Sequence, residues 1–170
     1  MKKKYTTREF CTAALFAAII FVATAYLQIP IPIGYAHPGD AFIFVAASLL
    51  PPPLAIIAAT VGAGLADALF FPIYIPATVV VKAVSALVFT SKKEKILCAG
   101  NVIALCLCGI FCAGGYYLYE VLLTGSFAAP IVSIPGNIGQ WAVSAAIYLV
   151  IAFALDRTPK LKNYIRRNWH

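Results

Sequence analysis

Positive charge is confined to three short stretches of this 170-residue chain, and this confinement constrains the fold more than any other feature. Twelve of the thirteen lysine and arginine residues lie at the N-terminus, in one central loop and in the C-terminal tail. They are Lys2, Lys3, Lys4 and Arg8, then Lys92, Lys93 and Lys95, and finally Arg157, Lys160, Lys162, Arg166 and Arg167. Because basic residues gather on the cytoplasmic loops of membrane proteins, the pattern predicts a membrane topology. The remaining basic residue, Lys82, lies in an apolar region and becomes the first functional candidate.

The composition agrees with a membrane protein. Hydrophobic residues make up 62% of the chain, charged residues only 11%, and the mean hydropathy is +0.91, which excludes a soluble globular domain. The net charge of +7 is typical of nucleic-acid binding as well. Here, however, the cations flank apolar segments, where they orient the chain and meet anionic lipid, so we expect a lipid bilayer and no nucleic acid as partner.

We predict an all-α integral membrane protein, a single membrane domain over residues 1–170, with six transmembrane helices and both termini cytoplasmic. The expected location is a bacterial-type plasma membrane, with a multi-pass topology. Proline and glycine punctuate the segments, and the three loops predicted to face outward contain no lysine or arginine. The second span, at eleven residues, is short for a full crossing and must tilt or borrow length from its flanks. The predicted spans cover about 8–29, 40–50, 54–71, 76–90, 96–123 and 135–155.

A cleaved signal peptide is the alternative reading of the first apolar segment. Three lysines precede the segment, and Ala23-Thr24-Ala25 fits a small-x-small cleavage site. Cleavage would leave five spans and put the central basic loop and the basic tail on opposite sides of the membrane. We therefore expect the segment to be retained as the first span.

The five cysteines lie inside apolar segments and are expected to be packing residues. Only Cys108 and Cys112 have the helical i, i+4 spacing that a metal or redox pair would need, and no histidine or carboxylate lies near them in the sequence. We therefore expect no metal and no cofactor. The others are Cys11, Cys98 and Cys106.

Ionisable groups inside a membrane are costly, so each one is a candidate for function. With a helix rise of about 1.5 Å per residue, Lys82 lies roughly 9 Å below the outer start of its span. The remaining candidates also fall in the outer half of the predicted bundle or in its outer loops, which predicts one substrate-binding site open to the outside. They are His37, Asp40, Asp67, Glu120, Asn137, Gln140 and Trp141.

The charged candidates also have purely structural interpretations. Asp67 and Lys82 lie at similar depth on adjacent spans, which favours a structural ion pair between them. Asp40 follows a Pro-Gly pair and is well placed to cap its helix. A loop position such as that of His37 is compatible with simple solvation, and Glu120 near an interface could reach toward water.

The uncharged candidates have structural interpretations of the same kind. Asn137 and Gln140 could only bond neighbouring helices. Trp141 could serve as a packing or interface aromatic, and the tyrosines at 116, 117 and 119 are typical of an interfacial belt.

Four alanines form a ridge near the cytoplasmic end of the first span. Small residues spaced by four positions let another helix approach closely. The ridge predicts either internal packing or docking of a partner protein. Its members are Ala13, Ala14, Ala17 and Ala18.

Local motifs in the first half of the chain resemble those of a known family. The sequence HPGD at 37–40 precedes the apolar run AFIFVAASLL and a proline turn, and GAGLAD follows at 62–67. IPAT at 75–78 then leads into VVVKAVSAL at 79–87. With six predicted spans and the alanine ridge, these motifs resemble the substrate-binding (S) components of energy-coupling factor (ECF) vitamin transporters. The triple proline at 51–53 departs from the Gly-Pro that the family often has there.

The resemblance implies a protein that binds a vitamin or related micronutrient from outside and performs no chemistry. A membrane coupling protein and two cytoplasmic ATPase subunits would supply the energy, as in an ABC transporter. It implies contact with the coupling protein for the four alanines of the ridge, and it matches four polar positions to the family motifs. These are His37, Asp40, Asp67 and Lys82.

The residues themselves agree with a non-enzymatic role. The sequence has no Walker motif and no HExxH, and no Ser/His/Asp set lies at one depth. Three acids against one lysine favour a neutral or cationic, hydrogen-bonding ligand, and the nearby aromatic residues favour a small nitrogen heterocycle. A riboflavin-, pyridoxine- or pyrimidine-like compound fits this description. The alternatives are a structural membrane scaffold, which would not need the buried charges, or an autonomous small transporter, which would need polar residues through the inner half as well.

Overall fold

The structure, a computed structural model, describes residues 5–30 and 35–166. Lys2, Lys3, Lys4 and Arg167 therefore lie outside the described residues. The described chain is almost entirely helical, and its seven α-helices are α1 Thr7–Ala25, α2 Gly39–Leu49, α3 Pro52–Phe70, α4 Ile75–Val88, α5 Ala99–Thr124, α6 Ile134–Arg157 and α7 Pro159–Arg166. Short 3₁₀ turns precede α4 and α6, at Pro72–Tyr74 and Ala129–Ser133.

Six of these helices coincide with the six predicted spans. Four apolar helical segments are long enough to cross a membrane: Thr7–Ala25, Pro52–Phe70, Ala99–Thr124 and Ala129–Arg157. The segments Gly39–Leu49 and Pro72–Val88 are apolar but shorter. The all-helical membrane architecture is thus confirmed, whereas the count of six crossings and the cytoplasmic termini stay predictions.

The connection between α1 and α2 was predicted as a loop and contains a small sheet instead. Strands β1 (Ile29–Pro30) and β2 (Tyr35–Ala36) pair antiparallel, with Ile29 opposite Ala36. Two-residue strands carry too little periodicity to be detected in a proline-rich segment. The hairpin leads directly into His37 and α2.

Helix boundaries follow local sequence signals. At the start of α1, the Thr6 side chain accepts from the Glu9 backbone N–H and the Glu9 carboxylate accepts from the Thr6 backbone N–H, a capping box. Pro52 occupies the first position of α3, where a missing N–H costs nothing. Helix α5 ends at Gly125, whose φ of +65° is the left-handed conformation that glycine adopts readily.

The short helix α2 lies in the centre of the bundle. Ten of its eleven residues are buried, and it packs against α1, α3, α4 and α6. A helix enclosed by protein does not have to match the lipid thickness by itself, which gives a physical reason for its length. From the middle of α2, Phe44 forms an aromatic cluster with Phe89 and Tyr148, with ring centroids 5.3–5.9 Å apart.

The basic stretches meet at one end of the bundle, which we call the basic end. Lys162 of α7 donates to the Glu94 carbonyl of the central loop, at 2.8 Å, and pairs with Asp156 at 3.0 Å. Arg8 at the start of α1 donates to the Tyr164 carbonyl of α7, at 3.0 Å. The predicted grouping of the described basic segments on one side is therefore present in the fold.

Polar groups are also buried toward the basic end, contrary to the expectation that this half is almost wholly apolar. Asn101 is completely buried and bonds the backbone of Thr90 and Ile96. Its amide also reaches Ser48 of α2, which in turn shares a 2.9 Å hydrogen bond with the Tyr148 hydroxyl. These groups tie α2, α5 and α6 to the central loop and have a structural role.

Candidate functional site

A buried ion pair between Asp40 and Lys82 lies at the centre of the candidate site. Asp40 is the second residue of α2, Lys82 lies mid-way along α4, and their side chains are 4% and 2% exposed. Lys82 Nζ is 2.7 Å from Asp40 Oδ1 and donates a hydrogen bond of 2.9 Å to Oδ2. Two charges at this depth are tolerated because they neutralise each other.

This pairing corrects two structural interpretations of the sequence. Lys82 pairs with Asp40 of α2 rather than with Asp67, because the angular positions of the side chains, and not depth alone, decide which carboxylate is reached. Asp40 is also not the cap of its helix. The N-cap residue of α2 is Pro38, which makes no side-chain cap bond, and the Asp40 carboxylate turns inward to the lysine.

Gln140 brings a third helix to the pair. Its Nε2 donates to Asp40 Oδ2 at 3.0 Å, so that α2, α4 and α6 converge on one carboxylate. Asp40 Oδ2 thus accepts two hydrogen bonds. The buried Oδ1 lies close to the Lys82 ammonium, but the angles there do not form a hydrogen bond. Oδ1 therefore keeps acceptor capacity, which a ligand N–H or O–H could use.

A second polar chain runs from Asp67 to the same lysine. The Thr78 hydroxyl hydrogen-bonds the Asp67 carboxylate and lies 2.8 Å from the Tyr116 hydroxyl. Lys82 Nζ stands 5.4 Å from the centre of the Tyr116 ring, within cation–π range. Sequence reasoning missed both intermediates: Thr78 was visible only as part of a motif, and Tyr116 was interpreted as an interfacial aromatic.

His37 lies close to Asp40 in the chain and is buried, which contradicts the alternative interpretation that it is simply solvated. Its Nδ1 accepts the Gly39 N–H at 3.2 Å, and its carbonyl accepts the Ser144 hydroxyl of α6 at 3.3 Å. Burial lowers the pKa of the imidazole to about 4, with Asp40 opposing and Lys82 reinforcing the shift. The ring is therefore neutral near pH 7 and fixes the entry into α2.

The glycine after His37 is required by close packing. A Cβ on Gly39 would lie only 2.1 Å from the Thr24 hydroxyl of α1 and 2.9 Å from the His37 ring. The Thr24 hydroxyl is itself buried and has no hydrogen-bond partner among the residues that the structure describes. Backbone of α2 thus approaches α1 at the point where the polar site begins.

Glu120 belongs to a separate cluster near the C-terminal end of α5. It accepts hydrogen bonds from Tyr74 at 3.2 Å and from Ser133 at 2.6 Å, one from each 3₁₀ turn. Tyr119 and Tyr117 donate to the Ile73 and Phe127 carbonyls. The glutamate is buried and paired within protein rather than extended toward water, and this cluster fastens the connections before α4 and α6.

The remaining two candidates lie in the first turns of α6. Trp141 packs against Gly109 of α5, where an added Cβ would lie 2.9 Å from the indole, and its N–H donates to the Leu105 carbonyl at 2.8 Å. That arrangement matches the packing interpretation of the tryptophan. Asn137, one turn earlier, is half-buried.

The alanine ridge forms the floor of an apolar groove between α1 and α3, with a volume of about 590 Å³. Ala14 and Ala18 are exposed in it, whereas Ala17 meets α3 so closely that a Cβ on Gly62 would lie 2.6 Å from the Ala17 carbonyl. The ridge therefore serves internal packing along one edge and leaves the other edge open. The walls are Phe10, Phe21, Leu54, Ile57, Val61 and Leu65.

Taken together, the fold and the site define a polytopic helical membrane protein with a buried polar site at the end opposite the basic end. A polar cluster enclosed in this way is typical of a membrane protein that binds a solute. The family model for the ECF-type riboflavin transporter S component matches residues 4–157, and the chain belongs to this family. The resemblance seen in the sequence is thereby confirmed, and the protein is a substrate-capture component located in the membrane.

A solved structure described as "Structure and mechanism of the S component of a bacterial ECF transporter" has the same fold. The two chains are 25% identical, the TM-score is 0.67, and the match covers 89% of this chain and 96% of that one. No curated protein sequence matches the chain.

Proposed function

We propose that the protein captures riboflavin, or a closely related nitrogen heterocycle, from the outer side of the membrane. The observation that carries the proposal is the buried Asp40–Lys82–Gln140 network at the end opposite the basic end, in a chain of the riboflavin S-component family. A flavin ring presents one N–H donor between two carbonyl acceptors on one edge, which suits the remaining acceptor capacity of Asp40 and the donors of Lys82 and Gln140. The Tyr116 ring provides an aromatic surface beside Lys82.

The site residues proposed for substrate binding are the eight predicted from the sequence. Lys82 and Gln140 donate to the Asp40 carboxylate, and His37 lies three residues before Asp40 at the entry into α2. Asp67 connects to Lys82 through Thr78 and Tyr116. Glu120, Asn137 and Trp141 complete the set at the periphery. The role is binding, with no catalysis and no cofactor.

We further propose that the chain works with a membrane coupling protein and two cytoplasmic ATPase subunits, which power release of the substrate to the inside. The groove beside the alanine ridge supports this proposal, because its exposed alanines leave room for a helix of the coupling protein. The pattern of small residues at four-residue spacing suits such a close contact.

The test is mass spectrometry of small molecules released from the protein after purification in mild detergent from rich medium. We expect stoichiometric riboflavin, and we expect the purified apoprotein to quench flavin fluorescence on titration. A different heterocycle would correct the substrate, and an empty protein that ignores a panel of vitamins would overturn the proposal.

Site variants assign the binding to this network. Gln140→Leu keeps the ion pair and the side-chain volume but removes one donor, and we expect riboflavin affinity to fall at least tenfold. Lys160→Met, at an exposed lysine of the basic end, is a control that leaves affinity unchanged. Equal affinity in the Gln140→Leu variant and the wild type would exclude Gln140 from the site.

A further inference from the structure

The outer face of α7 combines exposed cations with exposed apolar side chains at the basic end. Lys160 is exposed, and Leu161 and Tyr164 are 50% and 59% exposed on the adjoining flank. Lys162, on the opposite face, is buried by its bonds to Asp156 and the Glu94 carbonyl. The helix is therefore fastened through Lys162 on one face, whereas Lys160 and Leu161 lie exposed on the other.

Helix α7 begins where the lipid-facing surface of α6 ends. Val150 and Phe153 of α6 are 69% and 50% exposed, as side chains facing hydrocarbon would be. Arg157, one turn later, stacks its guanidinium 4.3 Å from the centre of the Phe153 ring. An arginine whose guanidinium covers the last lipid-facing ring of a helix is typical of the boundary of the bilayer. Because α7 starts two residues beyond Arg157, its exposed face lies at the level of the lipid headgroups.

Charge in the surroundings of α7 is strongly positive. Exposed Lys92 and Lys95 come from the central loop that Lys162 anchors, and Arg8 of α1 stacks 4.2 Å from the centre of the Tyr164 ring. Three carboxylates lie at this end: Glu9, which is buried in the capping box, Asp156, which is paired with Lys162, and Glu94, which is exposed. The described cations outnumber them, and Lys93, Arg157 and Lys160 add to the excess.

We propose that α7 is an interfacial helix which, together with the central basic loop, binds the headgroups of anionic lipids. The exposed apolar flank enters the boundary between headgroups and acyl chains, and the lysines contact lipid phosphate. A lipid surface suits the site better than a protein because the apolar flank continues the lipid-facing surface of α6. Headgroup binding would hold the basic end at the membrane surface independently of the substrate site.

Native mass spectrometry of the full chain, titrated with phosphatidylglycerol or with phosphatidylcholine of the same acyl chains, tests the proposal. We expect tighter binding of phosphatidylglycerol, weakening as ionic strength rises because salt screens the attraction. The triple variant Lys92→Gln, Lys95→Gln and Lys160→Gln should lose at least tenfold in affinity for phosphatidylglycerol, with phosphatidylcholine unchanged, since each cation near an anionic surface contributes about fivefold.

The matched control is the same triple change to arginine, which keeps the charge and should keep the preference. Equal thermal unfolding of the two triple variants would show that the loss is not caused by misfolding. Phosphatidylglycerol binding that is no tighter than phosphatidylcholine binding, or that survives the glutamine changes, overturns the proposal. If the triple glutamine variant binds phosphatidylglycerol normally but no longer copurifies with the coupling protein, the proposal is also overturned, and the surface is assigned to that protein.

Discussion

At the scale of single residues, the Asp40–Lys82 pair dominates the chemistry of the interior. Both groups are almost fully buried, and Gln140 adds a hydrogen bond to the carboxylate. A buried ion pair adds little to the free energy of unfolding compared with well-packed apolar side chains in its place. Removal of one partner, however, leaves a buried charge without compensation. The pair is therefore a point at which single and double substitutions should behave very differently.

The residue-scale test is a double-mutant cycle. Lys82→Met and Asp40→Asn should each destabilise the protein by about 3–5 kcal/mol, because each strands one buried charge. The double variant should recover a large part of that loss. Thermal unfolding of ligand-free protein in one detergent measures all four members of the cycle, and a double variant no more stable than the singles would show that the pair is not an isolated unit.

His37 makes the stability of the protein depend on pH. Its pKa is about 4 in the folded protein against 6.5 for an ordinary histidine, so the unfolded chain takes up a proton in the window between these values and the folded protein does not. The contribution of His37 to the free energy of unfolding is thus fully present above pH 6.5. It falls as the pH drops toward 4, by about 1.4 kcal/mol for each pH unit within this window.

Melting temperatures measured between pH 7.5 and pH 5 check this dependence. His37→Asn keeps an acceptor for the Gly39 N–H but cannot take up the proton, so the slope in that window should flatten. A slope that persists in the variant would assign it to another group.

At the scale of elements, the groove between α1 and α3 allows the proposed partner contact to be tested separately from substrate binding. Ala14→Leu would fill the open edge of the groove, whereas the polar site lies elsewhere, around α2, α4 and α6. We expect riboflavin affinity to stay within twofold and copurification of the coupling protein to fall at least tenfold, because a small-residue contact does not accommodate the extra carbon atoms of a leucine side chain.

Ala146→Leu is the matched control for the groove. Ala146 is an exposed alanine on α6, outside the groove, so the same change in volume should leave copurification intact. If both variants retain the coupling protein, the alanine ridge is not its contact.

The elements were predictable to a large extent, and the contacts of the site were not. Pro52 and Gly125 mark helix ends in the sequence, and apolar composition identified the six apolar segments, of which four are long enough to cross a membrane. Depth along a helix could also be estimated, but depth favoured Asp67 as the partner of Lys82, whereas the structure pairs Lys82 with Asp40. Which carboxylate it meets depends on helix rotation and crossing, and a single sequence with weakly amphipathic helices does not specify either. Asn101 was missed for a related reason, since its partners are backbone groups of a loop.

At the scale of the whole molecule, the grouping of the basic segments predicts a sidedness that labelling can measure. In a cysteine-free background, Ala128→Cys lies on the exposed connection between α5 and α6, and Lys93→Cys lies in the central basic loop. We expect a membrane-impermeant maleimide to label Ala128→Cys in intact cells and Lys93→Cys only after lysis. The reverse pattern would invert the topology, and labelling of both in intact cells would contradict a defined orientation.

The enclosed position of α2 has a consequence for how the protein opens. Backbone amides exchange with solvent only when their hydrogen bonds break and water reaches them, so a helix surrounded by α1, α3, α4 and α6 is released only after its neighbours separate. Deuterium uptake should therefore be slowest in residues 39–49 and fast in residues 159–166. This order is expected even though α2 has only eleven residues. The shortest of the six apolar helices would then have the slowest amide exchange in the molecule.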